Sequence, residues 1–244
     1  GHAINFGEST QYKEWSVVAF LNHFDDAADG YDARNITIER EQGGKKKEFT
    51  MELYGQPQYG WIVMTDDGHP YLYTEIQSEN DWRTMEVFDL KGEEICHVGT
   101  SNDSPHGALL NDPDGFYLTR RVDALGTYDA YRKFHVGESG MPVAENDVYT
   151  KVNVCDSKED EAALVSTREL PVTVFDADGS GKEEKLPAGT KYYVRATDLE
   201  SFVDMELSDG RRCRLAVGKS DKGWGFEIDG VYEEDCFEFI PYAG

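Results

Sequence analysis

The sequence lacks nearly every signature by which a chain declares its chemistry. It contains no GxSxG, no HExxH and no GxGxxG, so the nucleophile elbow, the zincin helix and the dinucleotide-binding turn are all missing. Gly179-Ser180-Gly181-Lys182 imitates a phosphate loop only in part. Asp176 stands where the first glycine belongs, and Glu183 follows the lysine in place of Ser or Thr. Long apolar runs are also lacking: the longest, Trp15 to Leu21, is far too short to span a bilayer as a helix. Basic residues are few. The 24 Lys and Arg against 48 Asp and Glu leave a net charge of -24. That field repels phosphate backbones and anionic membrane surfaces, so neither nucleic-acid binding nor membrane insertion is expected. A cationic partner, a divalent cation or plain solubility all fit it. Cysteine is limited to Cys96, Cys155, Cys213 and Cys236. No two lie close in sequence, which excludes a zinc finger or a CxxC redox site. Two disulfides and four reduced thiols both remain open.

What is present is aromatic and repetitive. The 244 residues are 39% hydrophobic and 12% aromatic, enough for a sizeable core in one large or two ordinary domains. Tyr71-Leu72-Tyr73-Thr74-Glu75-Ile76 followed by Trp82 to Leu90 is echoed by Tyr117-Leu118-Thr119-Arg120-Arg121-Val122 followed by Tyr128 to Val136. Subtracting 46 from the second set lays Tyr117 on Tyr71, Leu118 on Leu72, Val122 on Ile76, Tyr128 on Trp82 and Phe134 on Phe88. The building unit is an aromatic β-hairpin used more than once. A period near 46 suits a propeller blade, but residues 31–150 hold three units at most and a closed propeller needs about four. The pattern therefore predicts a mostly β protein: an antiparallel repeated-hairpin sheet or barrel of propeller-like units.

Three further segments complete the organisation. Trp15, Val18, Ala19 and Asn22, with Phe20 and Phe24, recur at helical spacing, which predicts one N-terminal helix over 11–28, stopped near Gly30. Ile36 and Ile38 alternate with Thr37 and Glu39, and Gly43-Gly44 then leads into Phe49, Met51 and Leu53, a glycine-turn hairpin with Lys45-Lys46-Lys47 at its tip. The charged run from Asp156 to Glu161 breaks the pattern. The expected domains are residues 1–150, a linker over 151–168, and a second β domain over 169–244.

That last domain carries a resemblance. Leu186-Pro187-Ala188-Gly189-Thr190-Lys191-Tyr192-Tyr193-Val194 looks like the entry to the second strand of a bacterial SH3-like barrel, and Val203 to Arg211 is similar to that family's central hairpin. The usual glycine-tryptophan after the hairpin is replaced by Cys213-Arg214-Leu215. The whole chain also resembles uncharacterised secreted two-domain proteins of anaerobic Gram-positive bacteria. The resemblance implies export to an extracellular or cell-surface location and no particular activity. The opening Gly1-His2-Ala3, without an initiator Met, agrees with a trimmed signal peptide.

Two sets of residues are candidates for function. Trp61, Trp82, Tyr128 and Trp224 offer flat apolar faces near carboxylates and amides, the chemistry that suits a glycan, a peptide or a surface protein. Trp82 and Tyr128 both follow polar turns, which favours exposure, although cross-strand aromatic pairs can equally build the sheet itself. Asp176-Ala177-Asp178-Gly179-Ser180-Gly181 matches the first half of a calcium loop. Its donors would be Asp176, Asp178, Ser180 and Glu183, but Pro187 occupies the place of the closing acid. A polar turn between strands is the competing reading. The histidines have no ligand-like spacing, and no catalytic residue is singled out. The sequence thus favours a non-catalytic extracellular binding or interaction module. A hydrolase acting on a cell-wall or dietary polymer and a structural spacer are the alternatives.

Overall fold

A computed structural model describes residues 2–23, 33–65, 67–78, 82–105, 115–152 and 161–243, with the side chains of 20–23, 33 and 34 left aside. It is mostly β, built of antiparallel ladders. The chain divides into two compact units: Gly1–Arg120 with Lys133–Glu145, and Arg121–Arg132 with Asn146–Gly244.

The first unit begins with β1 (His2–Ile4), β2 (Thr10–Tyr12), β3 (Trp15–His23), β4 (Ala33–Gln42) and β5 (Lys45–Tyr54). It continues through β6 (Gln56–Met64), β7 (Pro70–Gln77), β8 (Arg83–Asp89) and β9 (Cys96–Ser101). Strands β2-β3-β4-β5 form one sheet, and β1-β6-β7-β8-β9 form another. The N-terminal helix expected over 11–28 is not formed. Its described residues are strand on either side of a turn at Lys13-Glu14 instead, with Val17 opposite Arg40 and Ala19 opposite Ile38. Trp15, Val17 and Ala19 are buried while Ser16 and Val18 are only partly so, a period of two. A short, nearly continuous apolar run satisfies either period, and the β-branched pair Val17-Val18 with a long partner strand decides for the sheet. The stop at Gly30 lies outside the described residues. The glycine-turn hairpin is present: Gln42 pairs with Lys45, and Gly43 and Gly44 take φ of 58° and 76°, the two positive values that a tight primed turn demands.

Strand β7 is buried along nearly its whole length, because both faces of its sheet are covered. Ile62, Leu72, Ile76 and Phe88 pack with Trp15, Val17, Ile36, Ile38 and Leu53 of the neighbouring sheet. On the opposite face, Trp61, Val63, Tyr71, Tyr73, Met85 and Val87 meet Phe116, Leu118 and Phe134. Full burial of such side chains contributes roughly 1.5–3 kcal/mol each.

The repeat is structural as well as sequential. Strand β10 (Phe116–Asp123), less 46, is Pro70–Gln77, the extent of β7. Strand β11 (Thr127–Val136) covers the place of β8, and β12 (Pro142–Ala144) the start of β9. The registers correspond too. Val87 faces Gly99, and its counterpart Lys133 accepts a backbone bond from Glu145 at 2.9 Å. Past that point β9 carries an extra residue, Val98, so Phe88 faces His97, whereas Phe134 keeps register with Ala144. The copies differ in burial: Tyr71 is enclosed, while Tyr117 is exposed.

The second unit adds β13 (Tyr149–Lys151), β14 (Leu164–Val165), β15 (Leu170–Phe175), β16 (Gly181–Leu186), β17 (Lys191–Thr197), β18 (Phe202–Leu207) and β19 (Arg212–Ala216). Its sheet runs β11-β13-β17-β18-β19-β15-β16, with β14 on β17. Val172, Val174, Tyr192, Val194, Val203, Met205, Leu207, Cys213 and Leu215 form its core. Glu161 is tied to Lys151 at 2.9 Å and to Arg195 at 2.7 Å, and Arg195 also reaches Glu206 at 3.1 Å. The middle of the expected linker, 153–160, lies outside the described residues. Last come β20 (Gly218–Lys219), β21 (Phe226–Ile228) and β22 (Val231–Tyr232), a separate three-stranded sheet that ends in a 3-10 turn over Glu233–Asp235.

Candidate functional site

The arrangement richest in unsatisfied chemistry lies at this last small sheet. Two turns build it. Asp229-Gly230, with φ of 52° and 74°, closes the hairpin of β21 and β22, a sequence suited to a tight primed turn. Ser220 to Gly225 closes that of β20 and β21, the Ser220 amide donating to the Gly225 carbonyl at 3.1 Å. Tyr232 ends β22, and the following 3-10 turn drives Glu233 inward until it is fully buried.

The Glu233 carboxyl organises its surroundings. Its Oε1 accepts the Tyr242 hydroxyl at 2.6 Å, and the Phe226 backbone amide also bonds to the carboxyl. Burial pushes its pKa up, more than these bonds and the nearby Glu234 charge alter it. Two polar atoms here have no hydrogen-bond partner among the described residues: Glu233 Oε2 and the Tyr232 hydroxyl. Gly225 crosses directly over both groups. A Cβ at that position would stand 2.4 Å from Glu233 Oε1 and 3.1 Å from the Tyr232 hydroxyl, and its φ is 70°. Only glycine combines that backbone with so close an approach.

Three aromatic rings cluster here, Trp224 touching both Tyr232 and Tyr242. Trp224 is 55% exposed. Its ring centroid lies 5.8 Å from Tyr232 at an interplanar angle of 84°, and 5.8 Å from Tyr242 at 76°. Edge-to-face contacts of this kind fix ring orientation. Lys222 lays its ammonium 3.7 Å from the Tyr232 centroid. Sequence reading found Trp224 but missed Tyr232, Glu233, Tyr242 and Lys222. The Lys222-Gly223-Trp224-Gly225 turn is a weak local signal. Tyr242 joins the site only through folding, from nine residues beyond Glu233.

The other sequence candidates fall elsewhere. Trp82 is 40% exposed, and its carbonyl accepts the Ser78 amide at 2.8 Å just before β8. Tyr128 holds the equivalent place near the start of β11 but is not free like Trp82. Its ring packs against both hydrophobic clusters of the second unit, and burial pushes its hydroxyl pKa far up. Trp61 is a core residue, 1% exposed, so neither ring face is open to a ligand. The turn with calcium-loop spacing joins β15 to β16. Ser180 donates from its amide and its hydroxyl to Asp178 Oδ1, at 2.9 and 2.7 Å, and reaches Asp176 at 3.4 Å. These bonds hold Asp178 below the usual carboxylate range. Glu183 is opposite Thr173 in the ladder and accepts its hydroxyl at 2.6 Å. Among the described residues no group of three or more His, Cys, Asp or Glu is placed to hold a metal ion.

Two histidine–carboxylate pairs lie in the first unit. His69 contacts Asp89 at 2.7 Å and stacks on Tyr71 at 4.5 Å. His97 contacts Glu86 at 2.7 Å, and Glu86 also accepts the Thr100 hydroxyl at 2.8 Å. Neither pair has a serine or cysteine nucleophile in these contacts, and both link neighbouring segments of the sheet. Cys96, Cys213 and Cys236 are free thiols, the first exposed and the other two buried. Burial pushes Cys213 up to about 12. Cys155 lies outside the described residues. No family model, curated protein or solved structure matches the chain.

Proposed function

We propose that the protein is an exported, non-catalytic binding or interaction module that takes a glycan or peptide on the aromatic surface around Trp224. One observation carries this reading: an indole that is 55% exposed is held edge-on by Tyr232 and Tyr242. A large apolar face left in water is unfavourable for folding alone. Fixed in angle beforehand, it loses little entropy when a sugar ring or a peptide side chain stacks on it. Polar groups lie at hand in Lys222 and the Ser220 to Gly225 turn. Trp82, 40% exposed, is a second candidate contact in the other unit.

The test is a glycan and peptide array probed with wild-type protein and with Trp224→Ala. The reading expects a wild-type signal that falls at least about tenfold in the variant, as befits an aromatic hot spot. Equal signals from both proteins, or no signal from wild type, would overturn it.

A further inference from the structure

Tyr232 is buried beneath Lys222, although Lys222 itself is exposed. A lysine on a loop has three strongly hydrated donors and every freedom to point into water. Here its ammonium lies instead 3.7 Å from the Tyr232 ring centroid, within the range where a ring face attracts a cation. The side chain marks a place that suits a positive charge.

Four further features suit the same charge. Trp224 stands nearly perpendicular to both Tyr232 and Tyr242, at 84° and 76°, so that aromatic surface turns a corner beside the ammonium. The Glu233 carboxyl lies fully buried next to Tyr232, with Oε2 lacking a partner among the described residues. The Tyr232 hydroxyl is likewise buried and unpartnered. The chain as a whole carries -24, a field that raises the local concentration of cations.

We propose that the Tyr232 face, bordered by Trp224, is an alkylammonium site, with Lys222 as its internal occupant. The ligand class is an organic cation with a methylated or quaternary nitrogen. Such a group is weakly hydrated and bulky enough to touch two rings, so it displaces a hydrated primary ammonium from aromatic surface. Lys222 competes with it at the high effective concentration of a tethered group. It therefore sets a threshold: only a better cation replaces it. The proposal rests on the reading of the Trp224 cluster as a binding surface and adds the chemistry of what is bound.

The experiment is a titration with tetramethylammonium chloride, with sodium chloride at equal ionic strength as the blank, followed by the indole N–H resonance of Trp224. Wild type and Lys222→Arg should saturate weakly. Lys222→Ala should bind about fivefold to tenfold more tightly, since its internal competitor is gone. Trp224→Ala in the Lys222→Ala background, read by the Tyr232 ring resonances, should lose that gain. Tyr232→Leu should do the same, but the surface variant keeps the test sound if that one fails to fold. Absence of saturation in Lys222→Ala, or equal affinity in wild type and Lys222→Ala, would overturn the proposal. The array ligand separates the two ideas. A ligand lost in Trp224→Ala yet not displaced by tetramethylammonium leaves the binding surface standing and overturns the ammonium assignment. Saturable tetramethylammonium binding without any Trp224-dependent array signal supports the ammonium site and overturns the glycan or peptide reading.

Discussion

Replacing Gly225 with alanine separates two costs that usually come together. At φ of 70° an alanine enters the left-handed region, which costs roughly 1–2 kcal/mol. Its methyl group would also sit 2.4 Å from Glu233 Oε1 and 3.1 Å from the Tyr232 hydroxyl. Neither neighbour is the loose end of an exposed chain: the carboxyl is fully buried and anchored by Tyr242 at 2.6 Å. Overpacking of this kind adds about 1–3 kcal/mol, so Gly225→Ala should cost about 2–5 kcal/mol. Gly230 supplies the control. Its φ is 74°, yet nothing lies within 4 Å of its would-be Cβ, so Gly230→Ala should show the backbone cost alone, about 1–2 kcal/mol. Urea unfolding followed by tryptophan fluorescence gives both values if the denaturant slope is unchanged. Equal destabilisation by the two variants would refute the close packing of Gly225 on Glu233, and with it the geometry assigned to the site.

Three other outcomes follow from the same structure. Trp61→Ala should destabilise by about 3–5 kcal/mol, whereas Trp82→Ala should stay within about 0.5 kcal/mol, and urea midpoints for the two decide it. Two of the buried glutamates, Glu161 and Glu233, should respond to pH in opposite directions. Burial alone would raise Glu161, but the hydrogen bonds and charges of Arg195 and Lys151 outweigh this and hold it low. Its stabilisation is complete above the ordinary glutamate pKa of about 4.3 and is lost as pH falls through the folded value. Glu233 is raised by burial, so its contribution is complete below about 4.3 and is lost as pH rises through the folded value. Glu161→Gln should therefore flatten the acid side of a stability profile and Glu233→Gln the side towards neutrality; profiles unchanged by both substitutions would contradict these environments. Finally, in a Cys155→Ser background a thiol reagent should modify Cys96 in the native protein, and Cys213 and Cys236 only after unfolding.

The sequence conveyed the β character and the repeat because both rest on local periodicity. Leu72, Ile76 and Phe88 in one copy and Leu118, Val122 and Phe134 in the other keep their faces through the pleat, and the 46-residue offset survives as strand ends and register. The N-terminal segment misled because Trp15 to Leu21 is apolar at almost every position, so period alone could not arbitrate. Exposure was the least legible property. Trp82 and Tyr128 occupy matching positions of the two repeats, yet Trp82 is 40% exposed while the Tyr128 ring packs against the clusters of the second unit. Trp61 and Trp224 are both tryptophans next to glycine in the sequence, one buried on two sides and the other on the rim. That distinction depends on which sheet covers which, information no single window contains. The site itself was half legible: Trp224 could be named, while Glu233 and Tyr242 acquire meaning only once the 3-10 turn buries the first and the last residues of the chain bring the second beside it.

The most direct measurement is a map of the indole N–H resonances of the four tryptophans as an array-selected ligand is added. The account predicts that Trp224 shifts in a saturable way while the buried Trp15 and Trp61 stay in place. A ligand that moves the other resonances and leaves Trp224 untouched would contradict it.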